Sequence, residues 1–272
     1  MAALTLAGCA ELGAPSNGFL PSEPGVTDKT ESMINHWNGA WVAAIFVGIL
    51  VWGLIIWCVV AYRKRKNDNT LPVQLRYHIP LELMYTVVPI LMIGVLYFYT
   101  VQVTEEFTDV SAEPDLEILA YGKQWSWDFN YLDDGVYFEG GRMQLTGEEG
   151  VEETLPTLYL PVGETVQFTV KTRDVNHSFW IPAFLFKMDM IAGETNTFQV
   201  TPQETGHFQG KCAELCGEFH SEMLFNVEVV ERAEYDAQME ALRQAGNVGV
   251  IGDEYNRVYD QRGYLQDGTV NN

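Results

Sequence analysis

Two charge-free apolar runs limit what this chain can become more than any other feature. The first extends from Ala40 to Tyr62 (AWVAAIFVGILVWGLIIWCVVAY) and the second roughly from Leu83 to Val103 (LMYTVVPILMIGVLYFYTVQV). Each is long enough to cross a bilayer as a helix. Trp37 and Trp41 stand at one end of the first run and Tyr62 at the other, where interfacial aromatics belong. Pro89 and Gly94 interrupt the second run. Membrane helices tolerate both where neighbouring helices cover the freed backbone groups. The loop between the runs carries Arg63, Lys64, Arg65, Lys66 and Arg76, whereas the flank after the second run is acidic, with no basic residue before Lys123. The positive-inside rule places that loop in the cytoplasm, so both termini and everything after residue 104 face outward.

Leu6-Ala7-Gly8-Cys9 has the form of a bacterial lipobox, which predicts a lipid on Cys9 and, up to Pro24, a Gly/Pro/Ser-rich tether. The plain alternative is a tail with a free thiol. The chain divides into a tether (1–39), two membrane helices with a basic cytoplasmic loop (40–104), an outward domain (115–231), and a C-terminal helix and tail (232–272). A formal net charge of −21 excludes nucleic acid as a partner and favours basic proteins. The four cysteines, Cys9, Cys58, Cys212 and Cys216, are too few for a disulfide framework, and no Cys-x-x-Cys-His is present to hold a c-type haem. Cys58 lies in the first apolar run and reads as a small hydrophobe.

From about residue 115 to 231 the pattern changes to short runs rich in β-branched and aromatic residues: Leu116–Tyr121, Thr157–Leu160, Thr165–Lys171, Thr197–Val200 and Leu224–Val230. Turn signals such as Asp134-Gly135 and Ala192-Gly193-Glu194 separate them, which predicts a β-sandwich or barrel. The Gly- and Glu-rich stretch from Asp133 to Glu153 reads as an exposed insertion. After Val230, ERAEYDAQMEALRQAG has a helical pattern with Gly246 as its stop, and the polar remainder gives no clear structure.

The richest chemistry lies in His207-Phe-Gln-Gly-Lys-Cys212-Ala-Glu-Leu-Cys216-Gly-Glu-Phe-His220-Ser-Glu-Met223, with a second imidazole upstream at His177. A disulfide between Cys212 and Cys216 explains the thiols and nothing else. Zinc suits two thiolates and two imidazoles. Copper suits the same groups and also gives the Met223 thioether a purpose. A mononuclear blue copper site uses a single cysteine, and this stretch has one more. Two thiolates can bridge two copper ions, each with its own histidine, and the Glu214 carbonyl between them can face the metals.

Cys-x-x-x-Cys-x-x-x-His-x-x-Met, with an upstream Val-x-His-Ser-x-x-x-Pro, resembles the dinuclear copper (Cu-A) signature of cytochrome c oxidase subunit II, over residues 36 to 231 and including both spans. The resemblance implies a cupredoxin-type Greek-key barrel after the two-helix transmembrane hairpin. It implies two copper ions held by His177, Cys212, Glu214 (through its carbonyl), Cys216, His220 and Met223, and a magnesium shared with subunit I through the Glu214 side chain. Gln124-Trp125-Ser126-Trp127 is similar to the family's Gln-Trp-x-Trp run, whose first tryptophan receives electrons from cytochrome c. By that likeness Trp125 is the receiving residue, while Ser126 replaces the usual middle aromatic. Core packing is the competing reading for these rings. Glu82 matches a glutamate at the mouth of a proton channel, against the simpler reading of a solvated carboxylate. Lys187 and Asp189 match a Lys-x-Asp pair facing subunit I. His36, His78 and His207 have no companion ligands and read as ordinary interfacial or surface residues.

The function implied is electron acceptance for a terminal oxidase in a bacterial cell membrane, with the copper domain outside. Cytochrome c, or a tethered c-type haem domain, docks on an acidic face. Electrons pass to haem in subunit I, where oxygen is reduced to water and protons are pumped. Asp128 and Asp133 are candidate docking carboxylates beside Trp125. The rival is a membrane-tethered copper or zinc carrier, for which Glu82 and the tryptophan cluster have no use.

Overall fold

The computed structural model describes residues 19–66, 71, 73–141, 151 and 154–256. The lipobox-like segment with Cys9, most of the Gly/Glu-rich insertion and the last sixteen or so residues of the tail lie outside that set. Two compact units emerge: residues 32–104, and residues up to 31 together with those from 105 onward.

The first unit holds nearly all of two long helices, α1 (Thr30–Ala61) and α2 (Ile79–Thr108). Both are long and apolar enough to span a membrane, and their apolar stretches bury nothing against protein. α1 outruns its charge-free run at the start and α2 outruns its own at both ends, because polar flanks such as Glu31 and Glu105-Glu106 cost a helix nothing outside hydrocarbon. Pro89 sits inside α2. The start of α2 is capped from both sides. His78 Nδ1 accepts from the Leu81 N–H at 3.2 Å, and Glu82 Oε1 accepts from the His78 N–H at 3.0 Å. This satisfies donors that a helix start leaves open. His78 thus has a capping role that its lack of companion ligands did not suggest. His36 Nε2 lies 3.3 Å from Thr100 Oγ1, a polar contact between α1 and α2.

The second unit is a two-sheet β structure of strands β1 (Leu116–Lys123), β2 (Ser126–Tyr131), β3 (Val136–Glu139), β4 (Thr157–Pro161), β5 (Val166–Thr172), β6 (His177–Ile181), β7 (Phe186–Met190), β8 (Asn196–Val200), β9 (Gly206–Cys212) and β10 (Leu224–Val230). One sheet has the order β3-β2-β1-β5-β8 and the other β4-β10-β9-β6-β7. The β1–β5 and β10–β4 pairs are parallel, and the remaining pairs are antiparallel. This is the cupredoxin-like β domain expected from the sequence.

Alternation explains the sheet faces. In β5, Val166, Phe168 and Val170 point inward while Gln167, Thr169 and Lys171 are half-buried. Between the sheets lies an aromatic core. Trp127 on β2 meets Phe225 on β10 at 5.0 Å, and Phe168 on β5 meets Phe179 on β6 at 5.4 Å. Such ring pairs add specific geometry to the area they bury.

Two expectations need correcting. The stretch from Asp133 is not wholly an insertion: it contains β3, and Val136 is fully buried. The polar tail also has structure. Helix α3 (Arg232–Gln244) ends before Gly246, whose φ of +88° takes the left-handed conformation that terminates helices. Residues 247–256 then run as a strap along β2 and β3. Tyr137 N–H donates to the Asn247 carbonyl, Gly249 N–H to Gly135, and Ile251 N–H to Asn130 Oδ1 at 2.7 Å. The strap explains why β2 is buried on both faces despite Asp128 and Asn130.

A candidate metal centre at the end of three strands

His177 begins β6, Cys212 ends β9 and Met223 immediately precedes β10, and these three strands are neighbours. Sheet register therefore brings distant residues to one edge: Phe179 pairs with Cys212, and Leu224 with Lys211. The loop from Ala213 to Met223 folds over this edge. It is anchored by Ala213 N–H to the Ser178 carbonyl and Cys212 N–H to the Met223 carbonyl, both at 3.0 Å, and a short 3-10 turn spans His220–Glu222. Trp127 Nε1 donates to the Met223 carbonyl at 3.4 Å from below.

All six candidate donors converge. Cys212 Sγ lies 3.7 Å from His177 Nδ1, 3.2 Å from the Glu214 carbonyl oxygen and 3.9 Å from Cys216 Sγ. Cys216 Sγ lies 3.5 Å from His220 Nδ1 and 3.8 Å from Met223 Sδ. The His177, Cys212 and Cys216 donor atoms lie within 4.8 Å of one another. Both thiols are free, and their separation is nearly twice the ~2.05 Å of a disulfide. The site is dry: His177 is fully buried, and Cys212, Cys216 and Met223 nearly so. His220 is half-buried and the Glu214 side chain is exposed.

The electrostatics ask for a cation. The contact with the Cys216 sulfur, helped by the His177 imidazole, holds the Cys212 thiol well below its ordinary value against the opposing effect of burial. The Cys216 thiol is in turn pushed far up, first by that contact and then by burial. One thiolate forms readily, while a second needs a metal to neutralise it. Two thiols, two imidazole Nδ1 atoms, a thioether and a carbonyl are a soft donor set that fits copper, and zinc would leave the thioether idle.

The surroundings hold residues that the sequence reading did not single out. His177 Nε2 lies 2.8 Å from Asp174 Oδ1, leaving Nδ1 to face Cys212. A carboxylate on the far nitrogen fixes the tautomer and orientation of a ligating imidazole. Burial acts to raise the Asp174 carboxyl, but the His177 contact and the N–H groups of Gln124 and Val175 outweigh it, so it is held below its ordinary value. The Asp-x-x-His spacing was the available signal. Gly122 is the second such residue. A Cβ there would stand 3.0 Å from the His177 ring, so glycine makes room for the imidazole.

Trp125 stands beside this loop. A Cβ on Gly217, next to Cys216, would meet the Trp125 ring at 3.0 Å, and Phe219 packs edge-on against that ring at 4.9 Å. Ser126, at the place of the missing middle aromatic, is buried and donates to the Gly141 carbonyl. Lys187 and Asp189 lie on β7 as a 3.5 Å ion pair, with Asp189 also accepting from Ser178. His207 is exposed and pairs with Glu228.

Asp128 overturns its assignment as a docking carboxylate. It is 1 % exposed and holds Arg173 Nε at 2.7 Å and Lys123 Nζ at 2.6 Å. A charge so enclosed and paired is structural. Asp133 is exposed but accepts from the Glu117 N–H. The exposed carboxylates near Trp125 are instead Glu218, beside Phe219, and Glu139, which shares a polar hollow with Gln124.

Residues 116–230 match the family model of the cytochrome c oxidase subunit II periplasmic domain. A probable cytochrome c oxidase subunit 2 of Streptomyces avermitilis is 38 % identical, the alignment covering 91 % of this chain and 85 % of that protein. Cytochrome c oxidase subunit 2 of Mycobacterium bovis is 33 % identical over 88 % of this chain and 78 % of that one. The periplasmic domain of the Bradyrhizobium japonicum subunit II is 33 % identical, with a TM-score of 0.45, covering 49 % of this chain and 97 % of that one. The two full-length relatives carry the assignment. On that similarity, spanning both helices and the β domain, this chain belongs to the cytochrome c oxidase subunit II family, the membrane-anchored partner of an oxidoreductase complex.

Proposed function

We propose that this chain receives electrons from a cytochrome c domain on the outer side of a bacterial membrane and passes them to haem in subunit I. The convergence of two thiols, two imidazoles, a thioether and a carbonyl at one dry edge is the observation that carries this reading. His177, Cys212, the Glu214 carbonyl, Cys216, His220 and Met223 would hold two copper ions. Bound there, the pair would supply a one-electron carrier with its charge shared between two centres.

The chain's own residues supply the rest. Asp174 keeps the His177 ring turned toward the thiols. Burial of Cys212 and Met223 excludes water, so little solvent must reorganise when charge arrives. Trp125, against Gly217, gives the electron a route from the surface to the Cys216 loop. Glu218 and Glu139 would draw in a basic donor. The exposed Glu214 side chain would reach a magnesium shared with subunit I, and Glu82 would stand at a proton channel. Cys9 would carry a lipid. Reduction of oxygen to water and proton pumping belong to the partner subunit.

Metal analysis with a visible and near-infrared spectrum of the purified oxidase tests the assignment. Two coppers per chain and an intense mixed-valence absorption are expected. One zinc and a colourless domain in native membranes would favour the carrier reading instead.

A further inference from the structure

Gln124 makes two hydrogen bonds that tie separate parts of the site together. Its backbone N–H donates to Asp174 Oδ2 at 2.9 Å, and Asp174 Oδ1 lies 2.8 Å from His177 Nε2. Its side-chain amide donates to the Cys216 carbonyl at 2.7 Å, across ninety-two positions of sequence. Gln124 is thus bonded both to the carboxylate that orients His177 and to the main chain of Cys216. Its neighbour is Trp125, whose ring lies on Gly217, the residue after Cys216. The amide of Gln124 also stands close to Gly217, where a Cβ would meet its Nε2 at 3.1 Å. Gly217 has a φ of +125°, a conformation favouring glycine, and any side chain there would push both Gln124 and Trp125 away.

From this geometry we infer that Gln124 is a positioning residue for electron transfer: its amide holds the Trp125 ring against the main chain at Cys216–Gly217. The inference rests on the reading of Trp125 as the residue that receives the electron. The amide bond is short, and the half-buried Trp125 ring beside it also packs edge-on against Phe219. A linear side chain of the same length that cannot donate removes the bond and little else. Gln124→Met meets that description. Gln124 touches no proposed ligand atom, only the Cys216 carbonyl, so the donor set itself stays intact.

Two measurements on the full chain test the inference. In the first, the metal-free chain is labelled with 5-fluorotryptophan and followed by 19F NMR, with the Trp125 resonance assigned by its loss in Trp125→Phe. Gln124→Met should move or broaden that resonance and leave the other six tryptophans unchanged. In the second, stopped-flow reduction of the oxidase by cytochrome c separates affinity from transfer within the complex. Gln124→Met should keep copper content, spectrum and donor affinity, and slow the transfer about fivefold, the population change that one net hydrogen bond controls. An unmoved Trp125 resonance, or an unchanged transfer rate in a background where Trp125→Phe is slow, overturns the clamp. Loss of copper in Gln124→Met also overturns it, because the amide would then be supporting the metal loop. If Trp125→Phe itself transfers at the wild-type rate, the fault lies with the receiving role of Trp125, while the 19F result still judges the clamp.

Discussion

At the scale of single residues, Cys216 and Met223 carry distinct expectations. The two-copper reading needs both thiolates to hold the pair, so Cys216→Ser should destroy the two-copper stoichiometry, as measured by metal analysis. Met223→Leu should keep the copper and shift its potential in redox titration, because a thioether is a weak ligand. Gly122→Ala is the sharper test of packing. The added methyl would stand 3.0 Å from the His177 ring, with strand partners on both sides. Overpacking of this kind costs about 1–3 kcal/mol. Urea denaturation should show that loss, and copper should bind more weakly, while an unchanged affinity would mean that the ring shifts freely. The cluster of candidate donors was legible in the sequence because thiols, imidazoles and a thioether rarely crowd into so few positions. The residues around it were not. Asp174, Gly122 and the amide of Gln124 gain their places around His177 and Cys216 only when folding brings distant segments together.

At the scale of elements, legibility followed chemistry. The long apolar runs announced α1 and α2, and short runs rich in β-branched and aromatic residues announced β1, β4, β5, β8 and β10. β9 hid behind Gly206 and Gly210, although Gly210 is required there because Phe225 occupies the space of any Cβ. β2 hid because Asp128 and Asn130 point away from the core into a strap that looked unstructured. That strap rests on Arg173, which is buried, stacks on Tyr121 at 3.9 Å, and donates to the Gly252 and Ile251 carbonyls as well as to Asp128. Removing one partner of a buried pair costs about 3–5 kcal/mol. Arg173→Met should lose about 3 kcal/mol on that basis, with Lys123 still holding Asp128, and chemical denaturation will measure it. Acid should loosen the same region. Burial works to raise the Asp253 carboxyl, but the bonds from Lys171 and Tyr121 outweigh it and hold it below its ordinary value. Its stabilising effect is therefore full above the ordinary aspartate range and lost as pH falls through the lower folded value. Hydrogen exchange at Gly249 and Ile251 should accelerate across that window. For α2, Glu82→Gln separates two roles. The amide oxygen can still accept from His78, so helix content should hold. A fall in proton uptake by the oxidase would then belong to the lost carboxyl.

At the scale of the whole molecule, charge would govern the encounter with the proposed donor. The chain's formal net charge of −21 should speed association with a basic cytochrome c, and salt should erase the effect once it screens charge over about 8–10 Å. Glu218→Gln and Glu139→Gln should weaken binding and reduce its salt dependence while sparing transfer within the complex. Trp125→Phe should do the reverse. Stopped-flow reduction across a salt series reads both, and an absence of any salt effect would point to a tethered haem donor that has no need to diffuse.

The two parallel strand pairs set a timetable. Leu116 must find Val166, and Asn226 must find Thr157, before either sheet is complete. Contacts so remote along the chain form late and make folding slow. His177 and Cys212 become neighbours only through the second of these sheets. The candidate donor set is therefore assembled only once that sheet has formed. A metal bound there would meet a preformed bite, the thiols of Cys212 and Cys216 already set beside His177.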